Sequence, residues 1–73
     1  MMHKFQVDLR SGRHSGQKFQ LECDTDPKGI KTSDVFSAKV IEATHGWKHL
    51  EGREAEFSVE YVMDGKIGVK FNH

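Results

Sequence analysis

The feature that most constrains this chain is an alternation of apolar and polar residues with a period of two, repeated in four short segments. Successive side chains of a strand point to opposite faces, so such a pattern marks a strand with one face in a core and one in water. In the first segment Phe5, Val7 and Leu9 oppose Lys4, Gln6, Asp8 and Arg10. In the second, Phe19, Leu21 and Cys23 oppose Lys18, Gln20 and Glu22. The third sets Ala55, Phe57, Val59 and Tyr61 against Glu54, Glu56, Ser58 and Glu60, and the fourth sets Ile67, Val69 and Phe71 against Lys66, Gly68 and Lys70.

Register follows from the same pattern, because opposed residues share a face and a slip of one residue would turn the apolar set to water. A two-residue Asp64-Gly65 loop puts Val59 opposite Lys70. A three-residue Met63-Asp64-Gly65 loop instead pairs Phe57 with Phe71, Val59 with Val69 and Tyr61 with Ile67, with Gly65 in the left-handed position, and is preferred. The first hairpin closes if Leu9 faces Phe19 and Val7 faces Leu21, leaving residues 11–16, rich in Gly and Ser, as its loop.

Residues 24–33, with Pro27 and Gly29 among polar neighbours, read as a long turn. Residues 34–44 are ambiguous. As a strand they place Phe36, Ala38 and Val40 on one face and Val35, Ile41 and Ala43 on the other, both buried. As a helix they align Phe36, Val40, Ala43 and Trp47 on one stripe ahead of Gly46. The β-branched Val35, Val40, Ile41 and Thr44 favour the strand. The expected fold is therefore all-β, a five-stranded antiparallel small barrel of OB or SH3-like kind; the alternative is α+β, two β-hairpins flanking one helix.

At 73 residues the chain is one small domain, residues 1–73, and buries only about 60% of its unfolded surface. Eleven Lys and Arg balance eleven Asp and Glu, so no global positive field gathers polyanions and any such binding must be local. A single cysteine, Cys23, excludes an internal disulfide and points to a reducing cytoplasm. The N-terminal residues alternate in character at once, as no signal peptide does. The longest apolar run, Tyr61-Val62-Met63, is too short to span a bilayer.

From Asp34 onward, Asp34-Val35-Phe36, Ser37-Ala38, Ile41-Glu42-Ala43-Thr44, Gly46-Trp47-Lys48, Leu50-Glu51-Gly52, Glu56-Phe57 and Asp64-Gly65-Lys66 resemble the C-terminal half of a bacterial cold-shock domain. The resemblance spans residues 34–72 and implies an OB-type barrel that binds single-stranded RNA or DNA on exposed aromatic side chains. The family's Lys-Gly-Phe-Gly-Phe and Val-Phe-Val-His-Phe strands have no counterpart here. Lys28-Gly29-Ile30 stands where the first would fall, and only Phe36 carries across from the second.

Stacking of bases needs aromatic faces in water beside positive charge. The alternation sends Phe5, Phe19, Phe57, Tyr61 and Phe71 to the core, leaving Trp47 and Phe36, with Lys48, His45 and the loop residues Arg13 and His14, as the candidate nucleic-acid site. The competing reading makes Trp47 a cap on the open end of the core. His45 and His49 stand four apart, but Gly46 interrupts a helix and no further ligand completes a metal site. Asp24 and Asp26 open like a calcium loop, yet Lys28 and Val35 occupy later ligand places, which favours a turn. The loop at residues 12–16 lacks phosphate-loop spacing. Cys23 falls on an inward face with no identifiable catalytic partner, so neither an enzyme nor a cofactor is expected. Two function classes remain: a small single-stranded nucleic-acid-binding module, or a protein-interaction module, self-associating or otherwise, working through a free edge of the first strand or an apolar patch around Trp47.

Overall fold

A computed structural model describes residues 1–10, 17–44 and 46–72. Five strands, β1 (His3–Leu9), β2 (Gln17–Cys23), β3 (Val35–Ala43), β4 (Glu54–Met63) and β5 (Lys66–Phe71), close into a barrel in sequence order. The expected five-stranded all-β barrel is thus the one formed, and residues 34–44 supply its third strand and no helix. Each strand is antiparallel to the next, and with an odd number of strands the first and last then run the same way, so the closing β1–β5 pair is parallel. That closing pair aligns Asp8 with Gly68 and Leu9 with Val69, and the Arg10 N–H extends it by donating to the Val69 carbonyl at 2.7 Å. A free β1 edge is therefore replaced, over Asp8 and Leu9, by barrel closure, which removes the unpaired backbone groups an edge would offer.

The apolar alternation fills the barrel. Val7, Leu9, Phe19, Leu21, Val40, Phe57 and Val69 are all but completely buried, and Ala38, Val59, Cys23 and Ile30 complete much of the core. An aromatic series runs through it: Phe5 against Phe36 (6.1 Å between ring centres), Phe36 against Phe57 (5.8 Å), Phe57 against Phe71 (5.3 Å) and Phe71 against Trp47 (5.4 Å). Such tilted and offset pairs add about 0.5–1.5 kcal/mol each beyond the area they bury. The turn after β2 is a short 3₁₀ segment, Pro27–Gly29, whose N-cap Asp26 accepts the Lys28 N–H at 2.9 Å. That capping use of the carboxylate is what an Asp-Pro turn needs.

Two bulges correct the simple alternation. In β3, Gln20 pairs with Glu42 but Leu21 with Val40, so Ile41 is an extra residue. This lets Val40 and Ala43, three apart, both face the core, whereas Val35 and Ile41 are exposed and the strand is not buried on both faces. In β4, Val59 pairs with Val69 but Tyr61 with Gly68, which makes Glu60 the extra residue. The β4–β5 loop is then the two-residue Asp64-Gly65, with Met63 opposite Lys66 and both loop residues at positive φ, 51° and 74°. This is the type I′ turn that Asp-Gly favours. The expected Phe57–Phe71 and Val59–Val69 pairs hold, but the additional residue lies in the strand at Glu60 and not in the loop.

The first hairpin is displaced by two residues from the expected register, pairing Val7 with Phe19 and Phe5 with Leu21. A shift of two preserves every face. The tip, residues 11–16, lies outside the described residues.

Candidate functional site

Of the residues expected to form an aromatic binding patch, Phe36, Trp47 and Lys48 lie among the described residues. Phe36 is buried, at 8% exposure, between Phe5 and Phe57, so its faces are spent on the core. Trp47 is half-buried and wedged edge-on against Phe19 (6.1 Å), tilted against Phe71 (5.4 Å), with His49 stacked on it at 6.2 Å. It packs against the core as a partly buried side chain, the placement that the capping alternative describes. Lys48 beside it is exposed and 3.7 Å from Glu51. His45, Arg13 and His14 lie outside the described residues. The large exposed apolar side chains of the strands, Val35, Ile41, Val62 and Met63, lie on β3 and β4.

A different aromatic reaches the surface. Because Glu60 is bulged, the alternation reverses beyond Val59, and Tyr61 sits on the outer face opposite Gly68. Its ring lies so close over Gly68 that a Cβ at that position would run into it. Its hydroxyl donates to Asp8 Oδ2 at 3.4 Å, and the Arg10 guanidinium lies over the ring, 5.5 Å from its centre. Lys18 holds the other carboxylate oxygen of Asp8 at 3.4 Å. The order of placement is β4 to β5 to β1 to β2 across the outside of the barrel. An unbroken period of two would place Tyr61 in the core. The available signal was the Asp64-Gly65 pair: counting back from a two-residue turn sets Tyr61 against Gly68.

Between this cluster and the β4–β5 hairpin lies an open groove of 410 Å³ lined by Asp8, Arg10, Tyr61, Met63, Asp64 and Lys66. That volume is within the range of small-ligand sites, about 300–1,000 Å³. Met63 is 60% exposed at its rim. Lys66 and Lys4 form no ion pair with a described residue, whereas Lys70 lies 4.0 Å from Glu60.

Charge is divided unevenly around the neutral barrel. Along β1 and its continuation at Arg10, together with β5, the outward residues include the cations Lys4, Arg10, Lys66 and Lys70 and one acid, Asp8. Along β3 and β4 the proportion reverses, with Lys39 against Glu42, Glu54, Glu56 and Glu60. The neutral total conceals a basic seam at β1–β5 and an acidic face at β3–β4. Chemically, the seam offers an aromatic face, a guanidinium stacked on it and free ammonium groups, a set complementary to a planar group carrying negative charge.

Among the described residues no group of three or more His, Cys, Asp or Glu is placed to hold a metal ion, and no helix is long and apolar enough to cross a membrane. No family model, curated protein or solved structure matches the chain.

Proposed function

We propose that this chain is a small non-catalytic module that binds single-stranded RNA or DNA along the β1–β5 seam. The observation that carries the reading is the division of charge: a chain with no net charge nevertheless places Arg10 and Lys66 at the groove beside the outward-facing aromatic Tyr61, with Lys4 and Lys70 further along the same two strands. Backbone neutralisation by cations beside a stacking surface is the general basis of sequence-tolerant single-strand binding. The site differs from the cold-shock expectation, since Phe36 lies in the core and Trp47 packs against it. The buried, unpaired Cys23 suits a reducing cytoplasm as the place of action.

The test is a fluorescence-anisotropy titration of a labelled mixed-sequence single strand at several salt concentrations. Contact with three or four phosphates gives a slope of log affinity against log salt of about −2 to −3. Absence of binding at low salt, or a slope near zero, rejects the reading.

The same charge division favours a second reading, self-association of the basic seam of one copy with the acidic β3–β4 face of another. Light scattering on the purified protein distinguishes it, because self-association gives a mass that rises with concentration and falls with salt, without any oligonucleotide.

A further inference from the structure

We infer that the groove between Arg10 and the β4–β5 hairpin holds one unstacked base of a bound single strand, with Arg10 exchanging its place over Tyr61 for a phosphate of that strand. The inference rests on the single-strand reading above and gives its site a specific geometry. One face of the Tyr61 ring is committed to Gly68, against which it lies too closely to admit even a methyl group. The other carries the Arg10 guanidinium at 5.5 Å. A base entering the 410 Å³ groove meets that second face, with the exposed Met63 beside it on the same strand.

Arg10 is suited to the exchange. It has no carboxylate partner among the described residues, so leaving the ring breaks no ion pair. A guanidinium released from an aromatic face can form a two-point contact with phosphate, which is stronger than the contact it leaves. Lys66, on the same groove and also free of an ion pair, offers a second phosphate contact. Asp8 is held by both Lys18 and the Tyr61 hydroxyl, which keeps the ring oriented while the base enters. Stacking on a tyrosine face does not discriminate among bases, so the groove accepts any base.

The experiment uses single strands carrying one 2-aminopurine, whose fluorescence is quenched on stacking, against the wild-type protein and the variants Tyr61→Leu, Tyr61→Trp and Arg10→Ala, with thermal melts to confirm folding. The wild type quenches the probe. Tyr61→Leu weakens binding about 5- to 150-fold, the range for loss of one stacked base, and abolishes quenching. Tyr61→Trp, which keeps a ring, restores both. Arg10→Ala retains quenching but makes the salt slope shallower by about 0.7, the contribution of one phosphate on a single strand. If the wild type binds the strand but does not quench the probe, or Tyr61→Leu binds as tightly as wild type, the groove is not the base site while the single-strand reading stands. If the wild type binds no strand at all, both fall.

Discussion

Glu51 reaches back across the loop before β4 so that the Ala43 N–H donates to its carboxylate at 3.0 Å, tying the last residue of β3 to the turn that follows it. The contact lies beyond the end of the β3–β4 ladder, whose last pair is Lys39 with Glu54, on a residue that still pairs with Phe19 of β2. Neighbouring backbone contacts reinforce it, with the Gly52 N–H donating to the Val40 carbonyl at 2.7 Å and the Val40 N–H donating to the Arg53 carbonyl at 2.8 Å. A carboxylate therefore takes the place of a backbone acceptor where β4 no longer runs beside β3.

The Glu51→Ala variant is expected to lower stability by about 1–2 kcal/mol, the scale of a charge-assisted hydrogen bond to a partly buried amide. Glu51→Gln, which keeps an acceptor oxygen, should lose less than half of that. The exposed Lys48 contact at 3.7 Å contributes little to either figure. Urea unfolding of the three proteins decides the matter; equal midpoints for Ala and Gln variants would show that the ion pair and not the amide contact carries the effect.

Gly68 and Tyr61 make a coupled pair, since the ring occupies the space a side chain at Gly68 would need. The Gly68→Ala substitution is expected to cost about 1–3 kcal/mol by overpacking in the wild type. In a Tyr61→Ala background the same change should cost much less. Additive effects in the double-mutant cycle would contradict the packing described.

Phe36 separates a core role from a binding role. Because it is sandwiched by Phe5 and Phe57, Phe36→Leu should destabilise by about 1–3 kcal/mol yet leave oligonucleotide affinity unchanged in protein that remains folded. A loss of affinity without loss of stability would return Phe36 to the binding surface.

The barrel was legible in the sequence because its strands repeat a period of two over six or more residues, and burial of one face leaves little freedom in which residues point inward. The pairs Phe57–Phe71 and Val59–Val69 follow from that rule alone. What the rule misses is a single inserted residue, which reverses the faces of everything after it. Tyr61 looked like a core residue for this reason, and Val40 with Ala43 looked like opposite faces of a doubly buried strand. The setting of Trp47 was not legible for another reason: an aromatic beside cations has the same sequence appearance whether its ring packs against Phe71 or stands in water. The charge division was hidden by the neutral total, and it emerges only when strand order brings β1 beside β5.

The bulge itself supplies the most discriminating prediction. Removing Glu60 by deletion joins Val59 directly to Tyr61, and the observed pairs Val59–Val69, Tyr61–Gly68, Val62–Ile67 and Met63–Lys66 then form one regular ladder ending in the same two-residue turn. Every remaining side chain keeps its face, and the deletion should change stability by no more than about 1 kcal/mol, because a bulged residue is unpaired and this one is exposed. If the additional residue instead lay in a three-residue loop, deletion within the strand would force Tyr61 and Val62 to exchange faces or strain the turn, and the fold would lose several kcal/mol. Amide and side-chain contacts by NMR on the deletion variant distinguish the two: persistence of Tyr61 ring contacts to Gly68 and Asp8 establishes the bulge, and their loss refutes it.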